Sequence, residues 1–177
     1  MADQEEIHLD KHIRIHRMPS DLYQYWRNPE NLPQILDFLE EVMSLDEQSS
    51  RWTVVIAGNE RITWDTVITE DVKGQLIRWH SEGNTDALHD GVVRFSGTGQ
   101  HRVTDLHLQL NFYFPIMKDS RPDMLGQDVE TRIEEDLLRF KQAVEANEFP
   151  KGRREGRRGL PWGFPGAAPQ REGPFSY

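Results

Sequence analysis

The sequence predicts an α+β domain: a curved antiparallel sheet of about seven strands packed on one long C-terminal helix, with two short helices after the first strand. Three observations carry this. Between residues 40 and 114, short apolar runs that mostly alternate with polar residues are separated by turn-forming clusters, the signature of strands with one buried face. Those runs are joined by short segments, which suits antiparallel neighbours and leaves no room for crossover helices. From Leu125 to Val144 the apolar spacing changes to three and four, the period of an amphipathic helix.

The first element is residues 6–16. Ile7, Leu9, Ile13 and Ile15 are odd-numbered and His8, Asp10, His12 and Arg14 even-numbered, a period of two. On a helix the same apolar residues would point to about 0°, 200°, 240° and 80°, with no common face. His8, His12 and His16 fall four apart, the spacing of a helical metal motif. On a strand, residues four apart are separated by about 13 Å. Metal–nitrogen bonds are about 2.0–2.1 Å, so these histidines cannot share an ion. No metal site is expected unless one of them joins a histidine or carboxylate from a neighbouring strand.

The next segment, "MPSDLYQYWRNPENLPQILDF", reads as two short helices. Ser20 is the expected cap of the first, which carries Leu22, Tyr25 and Trp26, and Asn28 followed by Pro29 is the cap of the second, which carries Leu32, Ile35 and Leu36. Five strands follow in "RWTVVIA", "RITWDTVITE", "QLIRWHS", "DGVVRFSG" and "VTDLHLQLNFYF", with "EEVMSLDE" a sixth. In the last strand Leu106, Leu108, Leu110, Phe112 and Phe114 share one face, opposite Asp105, His107, Gln109 and Asn111. The long helix starts near Pro122 and runs to about Asn147, and its stripe of Leu125, Val129, Ile133, Leu137, Phe140 and Val144 should lie on the dry face of the sheet. Glu134, Glu135 and Asp136 read as solvated helix surface.

Composition narrows the chemistry. The 177 residues suffice for one domain, residues 1–148, followed by a flexible basic tail, residues 149–177. The absence of cysteine excludes disulfides and thiolate chemistry. The formal charge is −9, but the last 30 residues carry six basic side chains against three acidic ones, so the body is strongly acidic. Nucleic acid is therefore not expected as a partner, except through residues 151–158 ("KGRREGRR") with Trp162 nearby to stack on a base. A solubilising disordered end explains the tail equally simply. No segment approaches the roughly 20 apolar residues of a membrane span, and a cytoplasmic protein is the expectation.

The order strand, two short helices, six strands, long helix is that of the helix-grip fold. The stretches "SDLYQYWRNPENLPQIL", "SRWTVV", "ITWDTVITED" with "LIRWHS", "DGVVRFSG" and "EEDLLRFKQAVEANE" resemble the SRPBCC or START-like superfamily, in its polyketide cyclase/dehydrase and coenzyme-Q-binding branch. The likeness covers roughly residues 7–148. It implies a mostly apolar cavity between sheet and helix that takes lipids, isoprenoid quinones, polyketides or hormones, with catalysis of cyclisation in a minority of members. One difference bears on the cavity entrance: "PIMKDSRPDMLGQD" replaces the small-residue stretch that relatives often carry before the last helix, and is shorter and more charged.

Parity assigns the inner faces: Trp52, Val54 and Ile56; Ile62, Trp64, Thr66 and Ile68; Ile77, Trp79 and Ser81; His89, Gly91, Val93 and Phe95. The expected ligand-binding set is Tyr25, Trp52, Trp64, Thr66, Trp79, Ser81, His89, Phe95 and Phe112. Its aromatic members suit a flat ring, and they would equally serve as ordinary core. His89 is the one titratable member, either orienting a ligand from within the pocket or standing in solvent at its strand's end. No nucleophile elbow or phosphate-binding loop is present, since "SGTGQH" lacks the helix that must follow.

These readings lead to binding of a hydrophobic small molecule, without a cofactor. The alternatives are a cofactor-free cyclase or dehydratase with His89 as the catalytic candidate, and a regulatory or ribosome-associated module acting through its surface. A homodimer is left open.

Overall fold

The structure, a computed structural model, describes residues 4–37, 39–55, 61–83, 88–115 and 122–150, with side chains over 7–37, 39–54, 61–83, 89–111 and 130–150. The expected position Ile56 and the tail residues 151–177 lie outside that set, as do the side chains of Phe112, Phe114, Leu125 and Val129.

Seven strands form one antiparallel sheet: β1 (Gln4–Ile15), β2 (Leu39–Ser44), β3 (Ser49–Val55), β4 (Arg61–Val72), β5 (Leu76–Glu82), β6 (Leu88–Gly97) and β7 (Thr104–Pro115). Their order is β1-β7-β6-β5-β4-β3-β2, so every pair except β1 with β7 is sequential, and β1 and β2 are the edges. Irregularities in register between Leu39 and Glu41 and between Ile68 and Glu70 interrupt the ladders. Such bulges add local twist and help bend a sheet into the half-barrel that grips a helix.

Between β1 and β2 lie α1 (Pro19–Arg27), a 3-10 turn (Pro29–Asn31) and the single-turn α2 (Leu32–Ile35). The expected cap at Ser20 is not used. Pro19 occupies the first turn and α1 starts from Met18, whose side chain makes no capping bond. Proline's preset φ and missing N–H suit it to that position, and Ser20 falls inside the helix. The Asn28 cap is used: its Oδ1 accepts the Glu30 N–H at 3.2 Å. Arg27 Nε donates to Asp71 Oδ2 at 2.7 Å and its Nη2 to the Glu47 carbonyl at 2.8 Å, tying α1 to β4 and to the β2–β3 turn.

The long helix α3 is Pro122–Glu145. Ile133, Leu137, Phe140 and Val144 are buried as the stripe requires. Its end is closed by Asn147 in the left-handed region (φ 67°), the usual way to terminate a helix. Arg17 Nε donates to the Val144 carbonyl at 2.7 Å, which satisfies one of the terminal acceptors.

The acidic run on α3 is not simply solvated. Asp136 is buried, and its Oδ2 accepts the Asp37 N–H at 2.9 Å just after α2, while its Oδ1 accepts from Arg139. Glu134 and Glu130 accept from Lys11 Nζ at 2.7 and 2.6 Å. Lys11 shares the inward parity of Leu9 and Ile13, so its ammonium reaches the helix from the edge of the sheet. Of the three, Glu134 and Glu135 are exposed, Glu134 paired with Lys11, and only Asp136 is buried.

Phe149 and Pro150 continue to pack on the domain. Phe149 lies against Tyr25, with ring centroids 5.5 Å apart, and Tyr25 Oη donates to the Pro150 carbonyl at 2.6 Å.

Candidate ligand-binding site

The inner faces of β3 to β6 bring four large rings together. Trp52 lies 6.2 Å from Trp64, 6.1 Å from Trp79 and 5.0 Å from His89, centroid to centroid, and His89 is 5.8 Å from Trp64 and 6.1 Å from Trp79. The register explains the cluster: Trp52 is paired with Trp64, and Trp79 with Gly91. A Cβ on Gly91 would stand 2.5 Å from Trp79 Cζ2 and 2.8 Å from Leu110 Cδ2, so the Trp79 indole covers a position only glycine can hold.

A row of small polar groups crosses the floor of this box. Ser50 is paired with Thr66 and Thr66 with Ser81, and Ser81 Oγ accepts the His89 N–H at 3.0 Å. Ser50 Oγ accepts the Trp52 indole N–H at 2.9 Å. The indole N–H groups of Trp64 and Trp79 and the Thr66 hydroxyl are buried and make no hydrogen bond among the described residues. Buried polar atoms without partners are uncommon and costly, on the order of 1–3 kcal/mol each.

His89 is only 2% exposed. It stands near the start of β6, but its neighbours there are Phe112 of β7 and Ser81 of β5, and the tryptophan rings close over it. The solvent position is therefore excluded. Burial disfavours the charged imidazolium and lowers the pKa from 6.5 to about 3, so the ring is neutral at physiological pH.

Six of the expected site residues, Trp52, Trp64, Thr66, Trp79, Ser81 and His89, are thus gathered in one place, with Phe112 beside His89 in the ladder. Two are elsewhere. Tyr25 stacks on Phe140 at 5.6 Å and holds the segment after α3, where burial raises its phenol pKa above the ordinary value. Phe95 meets Tyr23 and Trp26 edge-on at 6.1 and 6.4 Å, on the side of α1. Parity names the face of a residue but not its distance along the groove, which separates these two from the box. Ser50 was missed by sequence reasoning, although it shares the parity of Trp52 and Val54.

A small cavity of about 30 Å³ adjoins the box. Its described lining comes from α1, the 3-10 turn and α2 (Trp26, Arg27, Pro29, Leu32), from the β2–β3 turn and β3 (residues 46–50 and Trp52), and from Thr66, Ile68, Ile77, Trp79 and Val93. That is room for about one or two waters, against roughly 300–1,000 Å³ for a site that takes a drug-sized ligand. The described lining lies between the sheet and the short helices, rather than against the described part of α3. Among the described residues no helix is long and apolar enough to cross a membrane.

The fold is similar to those of known proteins. A structure from Deinococcus radiodurans is 26% identical, with a TM-score of 0.67, over 79% of this chain and 98% of that one. The Zhui aromatase/cyclase from Streptomyces sp. R1128 is 18% identical, with a TM-score of 0.60, over 81% and 94%. A START superfamily protein from Mycobacterium smegmatis is 14% identical, with a TM-score of 0.55, over 80% and 97%. The last two likenesses are ones of fold. No curated protein is similar enough in sequence to match. Residues 15–143, well over half of the chain, match the family described as polyketide cyclase / dehydrase and lipid transport. With its seven-stranded half-barrel closed on a C-terminal helix, the protein belongs to that family.

Proposed function

We propose that the protein binds a hydrophobic small molecule with a flat apolar body and a few hydrogen-bond acceptors, of lipid, quinone or polyketide type, and does so without catalysis. Trp52, Trp64 and Trp79 would hold the body, while Thr66, Ser81 and His89 orient it. The observation that carries this reading is the set of buried donors, Trp64 Nε1, Trp79 Nε1 and the Thr66 hydroxyl, that make no hydrogen bond among the described residues. An acceptor on a ligand would satisfy them, and few convergent polar groups in an apolar lining are what orient a bound molecule. To admit such a molecule, the 30 Å³ cavity beside the box, lined in part by Arg27 and residues 46–49, would have to widen.

A second reading, aromatase or cyclase chemistry, is favoured by the convergence of Ser50, Thr66, Ser81 and His89 on one floor. The pKa of His89 weighs against it. A general base works best with a pKa near the working pH, and an imidazole at about 3 is a weak proton acceptor.

The test is a titration of tryptophan fluorescence and a thermal-shift screen with quinones, fatty acids and aromatic polyketides, alongside native mass spectrometry of the purified protein. A ligand of the proposed class should quench emission, raise Tm and lose affinity on Trp64→Ala. No shift from any class, with no co-purified mass, would refute binding. Turnover of a linear polyketide that is abolished by His89→Phe would establish the second reading instead.

A further inference from the structure

The outer face of the sheet holds a second cluster, unconnected with the box. His12 of β1 and His107 of β7 are directly opposite in register, their rings stacked at 3.8 Å with 11° between planes. Asp10, two residues before His12 and so on the same face, accepts from His107 Nε2 at 2.7 Å, and its Oδ1 is 3.9 Å from His12 Nε2. One ligand atom from each of the three residues lies within 4.8 Å of the other two.

We propose that Asp10, His12 and His107 bind one transition-metal dication of the Zn²⁺, Co²⁺, Ni²⁺ or Cu²⁺ class, clamping the edge strand β1 to β7. Two imidazoles and a carboxylate are the donor set of such borderline ions, whereas Ca²⁺ and Mg²⁺ prefer oxygen alone. Three protein ligands leave a fourth position for water or an exogenous ligand.

The surroundings support the assignment. His12 Nδ1 faces Asp105 Oδ2 at 3.3 Å, which holds the proton on Nδ1 and leaves the Nε2 lone pair for the metal, the usual carboxylate support of a ligating histidine. Gln109 Nε2 donates to Asp10 Oδ2 at 3.0 Å and so turns Oδ1 toward the imidazoles. Ligand atoms at about 2.0–2.1 Å from a tetrahedral ion stand about 3.4 Å apart, and Asp10 Oδ1 already lies 2.7 and 3.9 Å from the Nε2 atoms of His107 and His12. Arg94 of β6 is in register with His107, and Arg14 of β1 with Asp105. The face is therefore not a block of negative charge that would gather cations indiscriminately. His8 and His16 take no part: His8 Nδ1 meets Asn111 Oδ1 at 2.6 Å, and His16 Nδ1 meets Glu145 Oε1 at 2.9 Å.

The experiment is calorimetric titration of the untagged, chelator-stripped full chain with Zn²⁺ and Ni²⁺ at pH 7.5, with Co²⁺ absorption to report coordination and circular dichroism to confirm folding. One ion should bind per chain in the wild type and in His16→Gln. His12→Gln and His107→Gln should each weaken binding by about tenfold or more, and Asp105→Ala, which removes only the supporting carboxylate, by about tenfold. Zn²⁺ should raise Tm in the wild type and not in His107→Gln. Absence of saturable binding up to about 1 mM, the weak limit of specific association, would overturn the proposal. So would wild-type affinity in either folded histidine variant.

Discussion

The buried imidazole of His89 makes stability depend on pH in a calculable way. In the unfolded chain the ring takes up a proton near 6.5; in the folded box it does so only near 3. Below pH 6.5 the unfolded state therefore binds a proton that the folded state refuses, and stability falls as pH is lowered. The contribution is complete above about 6.5 and is lost progressively down to about 3. At about 1.4 kcal/mol per unit, lowering the pH from 7 to 4.5 removes roughly 2–3 kcal/mol, a large share of the roughly 5–15 kcal/mol that stabilises an ordinary domain. The comparison variant is His89→Phe, which keeps a ring in the box but cannot titrate. Urea unfolding of both proteins, followed by tryptophan fluorescence at several pH values between 7 and 4.5, gives the difference in stability, in which the carboxylates common to both cancel. That difference should move in favour of the variant by roughly 2–3 kcal/mol over the range. Parallel curves would show that His89 is not held neutral in the folded state, and would refute the closed box on which the binding proposal stands.

Two further perturbations probe the frame around the site. Gly91→Ala places a methyl against the Trp79 indole and the Leu110 methyl group; it should cost about 1–3 kcal/mol in chemical denaturation, as overpacking of a core does, and shift the tryptophan emission. Asp136→Ala leaves the Asp37 N–H without its 2.9 Å acceptor and should lower stability by about 1–3 kcal/mol. Asp136→Asn, which retains an acceptor, should recover part of the loss by the same measurement.

How far the site depends on long-range closure is seen in its polar members. Ser81, Thr66 and Ser50 would be unremarkable on an exposed strand. Each two residues from a tryptophan on the same inner face, they become the polar floor of a closed box, and the same enclosure that neutralises His89 leaves two indole donors without partners among the described residues. If the proposed ligand binds there, one bearing acceptors should be favoured over one that offers only hydrocarbon.

Periodicity alone determined the strands and the long helix, because alternation in "RITWDTVITE" and the spacing of Ile133, Leu137, Phe140 and Val144 are local properties that state which side of an element avoids water. It also placed Trp52, Trp64, Trp79 and His89 on one face. What it could not supply was whether that face closes. His89 sits near a strand's end, and its burial depends on how far β5 and β7 run beside it and on sheet curvature, both set by pairings distant in sequence. Tyr25 and Phe95 were drawn away from the box by Phe149, Phe140 and Trp26, contacts that no local pattern encodes. Asp136 looked solvated because its helix neighbours are charged, yet the amide it accepts lies 99 residues away. The histidines of β1 show the same division. Their spacing in sequence ruled out a shared ion on one strand, and only the register of β1 against β7 brought His12 to His107, because strand pairing sets neighbours across the sheet without regard to distance along the chain.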